Sequence, residues 1–137
     1  LRVRTTNAAE HQAATAKIGP MWGQFFSEEQ VESIPGKILG SAIYGVYSAY
    51  ESDASGAFDV TAGVAVNARG KGYEAVQIEA GEYLVFEAQG TLPEAVIATW
   101  GRIWTFFEAN PKIQRRYATD FEAYTGPESV SIHIGVR

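Results

Sequence analysis

The chain ends with the sequence ATDFEAYTGP at residues 118–127, followed by the apolar run VSIHIGV at residues 130–136. A strand-like run, a Gly-Pro turn and a second apolar run are typical of a β-hairpin. We therefore predict two paired strands, Tyr117 to Tyr124 and Val130 to Val136, at the end of the fold.

One carboxylate inside this hairpin is placed unusually. Because side chains alternate between the two faces of a strand, Glu122 shares a face with Tyr124 and not with Phe121. If that face is buried, the carboxylate is surrounded by rings, and its burial is costly unless a positive charge or hydroxyl groups satisfy it. Such surroundings are typical of a receptor for an organic cation.

Composition limits the class of protein. With 137 residues, 46% of them hydrophobic, the chain has the size and apolar content of one globular domain over residues 1–137. The formal charge of −5 argues against direct binding of nucleic acid, since such surfaces concentrate Lys and Arg. The absence of cysteine fits a reducing cytoplasm. No apolar run approaches the roughly 18 residues of a membrane span, so we expect a cytoplasmic protein without membrane contacts.

The first half of the chain switches between strand and helix periods. Leu1 to Thr6 alternates like a strand that is already in progress, which suggests that a short segment precedes it. Asn7 is a candidate N-cap, and the apolar spacing that follows predicts one helix over Ala8 to Phe26 with a kink at Gly19-Pro20. Strand patterns cover Lys37 to Tyr50 and Phe58 to Asn67, and residues 33–36, 52–56 and 69–72 are predicted connections.

The second half repeats this order. Tyr73 to Ala88 is extended, with an interruption at residues 80–82. A helix opens at Leu92-Pro93-Glu94 and ends at Asn110-Pro111. Its apolar stripe consists of Ile97, Trp100, Ile103, Trp104 and Phe107.

The similarity of the two halves predicts the architecture. Tyr47-Ser48-Ala49-Tyr50 parallels residues 121–124, and in both cases a turn and a strand ending in Gly-Val follow. We predict an α+β fold of two β-α-β-β modules, residues 1–68 and 73–137, related by a pseudo-twofold axis. A cleft between such halves is a natural ligand site. In this alignment Ser48 takes the place of Glu122, so only one module supplies a charge.

Several segments resemble a known family, the GyrI-like or AraC-type effector-binding domains. They are Tyr44-Gly45-Val46-Tyr47, the Trp-rich second helix, residues 81–86 and, above all, Asp120-Phe121-Glu122-Ala123-Tyr124 before a terminal strand. The resemblance covers nearly the whole chain. It implies an SHS2-like antiparallel sheet carrying two helices, with a pocket for lipophilic cations and Glu122 at its base.

The resemblance also bears on partners. The chain lacks the helix-turn-helix segment of the multidrug-responsive regulators in this family, and it is similar to stand-alone members, including those on integron gene cassettes. It therefore implies multidrug binding linked to antibiotic resistance, with any transcription regulation passing through a separate DNA-binding regulator.

The predicted binding residues are one carboxylate and seven aromatic side chains. They are Glu122, Trp22, Tyr50, Tyr83, Phe86, Trp100, Trp104 and Tyr124. Aromatic faces attract a cation by roughly 0.5 to 2 kcal/mol each without fixed hydrogen-bond geometry, which would give broad specificity. The same rings could simply form a core, and Glu122 could face solvent or pair with Arg115 or Arg116.

Three classes of function stay open at this point. The first is a sensor or sequestering module for amphipathic organic cations, without catalytic residues, cofactor or metal. The second is a small hydrolase of electrophilic toxins that uses Glu122 as a general base. The third is a ligand-dependent protein-interaction module. Asp120 lies on the same strand face as Glu122, but we expect it at the mouth of the strand and not as a catalytic partner.

Overall fold

The computed structural model describes residues 1–27, 34, 36–38, 40–53, 55–67, 73 and 75–137. In chain order the elements are β1 (Arg2–Thr5), α1 (Asn7–Glu10), α2 (Ile18–Ser27), β2 (Ile43–Ser48), β3 (Phe58–Val64), β4 (Glu82–Gln89), α3 (Glu94–Ala109), β5 (Arg115–Gly126) and β6 (Ser129–Val136). The α+β class is therefore confirmed. The predicted connection at residues 69–72 and residues 33 and 35 of the earlier loop lie outside the described residues.

All six strands belong to one antiparallel sheet in the order β1-β3-β2-β5-β6-β4. From the centre of the sheet outward, the strands of the first half are β2, β3 and β1, and those of the second half are β5, β6 and β4. In both halves these are the second, third and first strands in chain order. This shared order confirms the predicted architecture of two modules, and their bounds at residues 1–68 and 73–137 stay a prediction. None of the helices in the described part of the chain has the length and apolar character needed to span a bilayer.

The register of the central β2–β5 pair corrects one detail of the repeat. Gly45 lies opposite Glu122, and Tyr47 lies opposite Asp120. Residues that are directly opposite share a face, so Tyr47 and Glu122 point to the same side of the sheet while Ser48 points to the other. The prediction that Ser48 takes the place of Glu122 is therefore wrong.

The two longer helices, α2 and α3, each bury their apolar side against the sheet of their own half. From α2, Met21 and Phe25 pack with Phe58, Val60 and Ala62 of β3. From α3, Val96 and Ile103 pack with Val130, Ile132 and Ile134 of β6. Each such side chain contributes about 1.5 to 3 kcal/mol when fully buried. Two separate cores therefore form on one face of the sheet, and the central strands lie between them.

The first helical segment is two helices instead of one. Thr6, not Asn7, caps α1, because its side chain accepts a hydrogen bond from the Ala9 amide. The carboxylate of Glu10 accepts from the amides of Lys17, at 2.8 Å, and Ile18, at 3.1 Å, and so stabilises the start of α2. Pro20 lies in the first turn of α2, where a missing amide proton is tolerated, so no kink forms there.

The strands β2 and β4 begin later in the chain than predicted, and one residue of the predicted apolar stripe of α3 is exposed. Before β2, Lys37 makes only an isolated bridge to Val66. The strand predicted from Tyr73 begins at Glu82, directly after Gly81, whose φ is 148°. The helix α3 and the terminal hairpin are confirmed. Within α3, Ile97 is 67% exposed and does not belong to the packed stripe.

Candidate ligand-binding site

A cavity of about 1340 Å³ lies between α2 and α3, with the central strands as its floor. Six of the eight predicted binding residues line it: Glu122, Trp22, Tyr50, Trp100, Trp104 and Tyr124. The volume exceeds the usual range of small-molecule sites, roughly 300 to 1000 Å³. The cavity therefore has room for a ligand with several rings.

The carboxylate of Glu122 forms the polar centre of this floor. The side chain is only 2% exposed. Its Oε2 accepts hydrogen bonds from the Tyr47 hydroxyl, at 2.8 Å, and from Nε1 of Trp100, at 2.7 Å. Its Oε1 accepts from the Tyr124 hydroxyl at 2.8 Å. Three donors from β2, α3 and β5 therefore hold the carboxylate in one orientation.

No basic side chain among the described residues pairs with this carboxylate. Arg115 pairs with Asp120, and Arg116 donates to the carbonyl of Ala80. The interpretations of Glu122 as a solvent-facing residue or as a partner of either arginine are therefore wrong. Burial raises the pKa of Glu122, and its three hydrogen bonds offset part of that rise.

The hydroxyl donors keep their protons. Burial, followed by the charge of Glu122, raises the pKa of both Tyr47 and Tyr124. The two phenols therefore stay neutral, and they donate to the carboxylate without adding charge.

Gly45 makes the placement of the carboxylate possible. A β-carbon at this position would lie 3.0 Å from Oε1 of Glu122 and 3.0 Å from Cζ2 of Trp22. Both contacts are closer than side chains normally tolerate, so glycine lets the carboxylate and the indole lie directly on the neighbouring strand.

The aromatic rings around Glu122 meet mostly edge to face or tilted. The ring centroids of Trp22 and Tyr124 are 5.2 Å apart, and those of Tyr47 and Trp100 are also 5.2 Å apart. Such arrangements leave ring faces free to contact a ligand. The walls of the cavity come from both modules, because Trp22 belongs to α2 and Trp100 to α3.

Asp120 is not at the mouth of its strand, as we predicted, but is fully buried with 0% exposure. Its Oδ2 pairs with Nη2 of Arg115 at 2.7 Å, and its Oδ1 accepts from the Gly135 amide at 2.8 Å. The hydroxyl of Tyr50 also donates to it. The register shift between Arg115 and Asp120, where Tyr117 has a φ of 54°, brings the two charges together. Asp120 is thus neutralised, unlike Glu122.

Two predicted wall residues do not line the cavity. The pairing of Tyr83 with Gly135 places it on the opposite face of the sheet, where its hydroxyl donates to the Glu79 carbonyl at 2.6 Å. Phe86 does lie on the helix side, opposite Ile132, but it packs against Phe106 in the core of the second half. Both residues therefore contribute to packing and not to the site.

Sequence analysis missed Tyr47. Strict alternation places Tyr47 and Tyr50 on opposite faces, yet both line the cavity. The alternation breaks at Ala49, whose φ is 51°, a left-handed conformation that is uncommon for alanine.

Among the described residues no group of three or more His, Cys, Asp or Glu side chains could hold a metal ion.

Comparisons with known proteins show which family and which solved structures the chain is similar to. A family model described as Cass2, integron-associated effector binding protein, matches residues 1–136. An integron cassette protein from the mobile metagenome of Vibrio cholerae is 37% identical, with a TM-score of 0.83 over 100% of this chain and 87% of that chain. The structure of SAV2435 bound to tetraphenylphosphonium is 20% identical, with a TM-score of 0.76 over 100% of this chain and 86% of that chain.

The search of the curated proteins found no match. The resemblance to effector-binding domains carried on integron cassettes is confirmed by the family model and by the Vibrio cholerae structure. The chain belongs to the Cass2 family of integron-associated effector binding proteins.

Proposed function

We propose that this protein binds amphipathic organic cations in the central cavity, with Glu122 as the charge that selects them. The observation that carries the proposal is a carboxylate that is 2% exposed, hydrogen-bonded by neutral donors and without a cationic partner among the described residues. A weakly hydrated cation that enters the cavity compensates this buried charge. The complex is then stabilised relative to the free protein and the free ligand. A neutral ligand of the same shape leaves the charge uncompensated.

The hydrogen bonds of Glu122 also narrow the chemistry of the ligand. An ionised carboxylate has about four acceptor positions, and protein donors occupy three of them. A primary ammonium or guanidinium group finds only about one free acceptor position on Glu122 for its several donors. A quaternary ammonium or phosphonium ion needs no acceptor. The site therefore favours permanently charged ions without N–H groups.

The aromatic walls suit such ions. Trp22, Tyr47, Trp100 and Tyr124 surround the carboxylate, and each ring face contributes about 0.5 to 2 kcal/mol to cation binding. The complex of SAV2435 with tetraphenylphosphonium supports the proposal, because that structure shares the fold. In this proposal the protein works as a multidrug sensor or sequestering module, and a separate DNA-binding regulator is its proposed partner in transcription.

The second candidate function is hydrolysis of an electrophilic toxin in the same cavity. The raised pKa of Glu122 favours it, since a general base works best with a pKa near the working pH. The three hydrogen bonds to the carboxylate oppose it, because they stabilise the charged form and leave only about one of its four acceptor positions for a proton from water. Binding without chemistry is the better supported of the two.

Thermal unfolding combined with mass spectrometry of the recovered ligand separates binding from turnover. A ligand that binds only the native state raises the melting temperature by mass action. Tetraphenylphosphonium should raise it and be recovered unchanged by mass spectrometry. If a wider screen of organic cations finds bound compounds that are recovered in cleaved form, the result would favour the hydrolase.

A matched pair of ligands tests the chemical class. A naphthylmethyl trimethylammonium ion should bind about tenfold more tightly than the corresponding primary ammonium, because only the latter loses hydrogen bonds to water. Glu122→Gln should weaken binding of the quaternary ion. Equal affinity for both ions would contradict the argument from donor saturation.

A further inference from the structure

A second cavity, of about 320 Å³, lies beyond the end of α3. Its described lining consists of Phe107, Pro111, Ile113, Gln114, Arg115, Tyr117 and Arg137. Only Arg115 also lines the central cavity. We propose that this second cavity is a separate binding site for a small organic anion, specifically a carboxylate on a single aromatic ring.

The charges around the cavity favour an anion. Two arginines line it, one of which, Arg115, is already paired with Asp120, and none of its described lining residues is acidic. Arg115 is buried. Among the described residues, its Nη2 donates a hydrogen bond to Oδ2 of Asp120 at 2.7 Å. Its Nε is buried without a partner among the described residues. Since a guanidinium has five N–H donors and its planar shape matches a carboxylate, the ion pair with Asp120 leaves donors for a second acceptor.

The rest of the lining suits an aromatic ring. The guanidinium carbon of Arg115 lies 4.5 Å from the ring centroid of Tyr117. Tyr117 reaches this position with a φ of 54°, which is unusual for a tyrosine and marks a constrained backbone. Phe107, Pro111 and Ile113 complete the apolar wall. The volume lies at the lower end of the range of ligand sites, so it fits one ring and its carboxylate.

Benzoate and its neutral counterpart benzamide test the proposal by calorimetric titration of the whole chain. Benzoate should bind, and benzamide should bind at least about tenfold more weakly, because it cannot pair with a guanidinium. Ile113 is 39% exposed, so it accepts polar substitutions without loss of the fold. Ile113→Glu places a negative charge at the cavity and should weaken benzoate binding by about tenfold or more, whereas Ile113→Gln keeps most of the affinity.

The two cavities share Arg115 but differ in the rest of their described lining, and the outcomes separate them. Ile113→Glu should still bind tetraphenylphosphonium, and Glu122→Gln should still bind benzoate. Equal binding of benzoate and benzamide would overturn the proposal, as would equal effects of the Glu and Gln substitutions at position 113. A clear change in benzoate affinity in Glu122→Gln, in either direction, would also overturn it, because it would place the anion in the central cavity. The absence of benzoate binding to the wild type would also overturn the proposal.

Discussion

The carboxylate of Glu122 rests on Gly45 of the neighbouring strand, so close that a β-carbon at position 45 would lie 3.0 Å from its Oε1. The same β-carbon would lie 3.0 Å from Cζ2 of Trp22. The position and orientation of the charge therefore depend on the absence of one methyl group in β2.

Gly45→Ala should displace both the carboxylate and the indole. We expect a loss of about 1 to 3 kcal/mol in the free energy of unfolding, as for other overpacked sites, together with weaker cation binding. Gly63→Ala is the matched control, because a β-carbon there in β3 meets nothing within 4 Å. Urea unfolding and dye titration of both variants check this, and equal behaviour of the two would contradict it.

Glu122→Gln should change how stability depends on pH. The amide can place its oxygen toward Tyr47 and Trp100 and its NH₂ toward the Tyr124 hydroxyl, which can also accept, so the fold should be kept. The folded-state pKa of Glu122 lies above its ordinary value of 4.5, so its stabilising contribution is complete below that value and is lost as pH rises through the folded pKa.

The stability of Glu122→Gln relative to the wild type should therefore increase as the pH rises from below 4.5 through the folded-state pKa of Glu122. Other titrating groups cancel in this difference. Unfolding of both proteins in denaturant at several pH values measures it. A difference that decreases with pH would contradict this prediction, because it would mean that folding lowers the pKa of Glu122.

Trp100→Phe should make cation binding more sensitive to acid. The indole donates to the carboxylate at 2.7 Å, and losing a donor to the charged form raises the pKa of Glu122 further. A cation must then displace a proton at a higher pH, so affinity should begin to fall at a higher pH than in the wild type. Trp104→Phe is the control, since Trp104 lines the cavity without a hydrogen bond to Glu122. Identical pH profiles for the two variants would count against this role of Trp100.

Asp120→Asn should destabilise the protein by about 3 to 5 kcal/mol, because it leaves the buried Arg115 guanidinium without its counter-charge. Asp59→Asn breaks the exposed pair with Arg4 and should cost less than about 1 kcal/mol. Equilibrium unfolding of both variants measures the contrast. A small effect at position 120 would show that solvent compensates Arg115.

Patterns along the chain were enough to predict the repeated modules, the helix α3, the terminal hairpin and the face shared by Glu122 and Tyr124, because these depend on apolar period and turn residues. The site was predicted less completely. Tyr47 was missed because the left-handed backbone at Ala49 reverses the alternation, and nothing in an alanine indicates it. The burial of Asp120 depends on a register shift at Tyr117, and Tyr83 faces away because of strand pairing. These are properties of the assembled sheet and not of local sequence.

Two ions of the same shape and opposite charge test the central claim most directly. Tetraphenylphosphonium and tetraphenylborate should be titrated into the wild type and Glu122→Gln at about 0.15 M salt, where charges beyond roughly 8 Å are screened. The wild type should prefer the cation, and the substitution should reduce that preference by about 100-fold, equivalent to roughly 3 kcal/mol. An unchanged preference would contradict the claim that Glu122 selects the charge of the ligand.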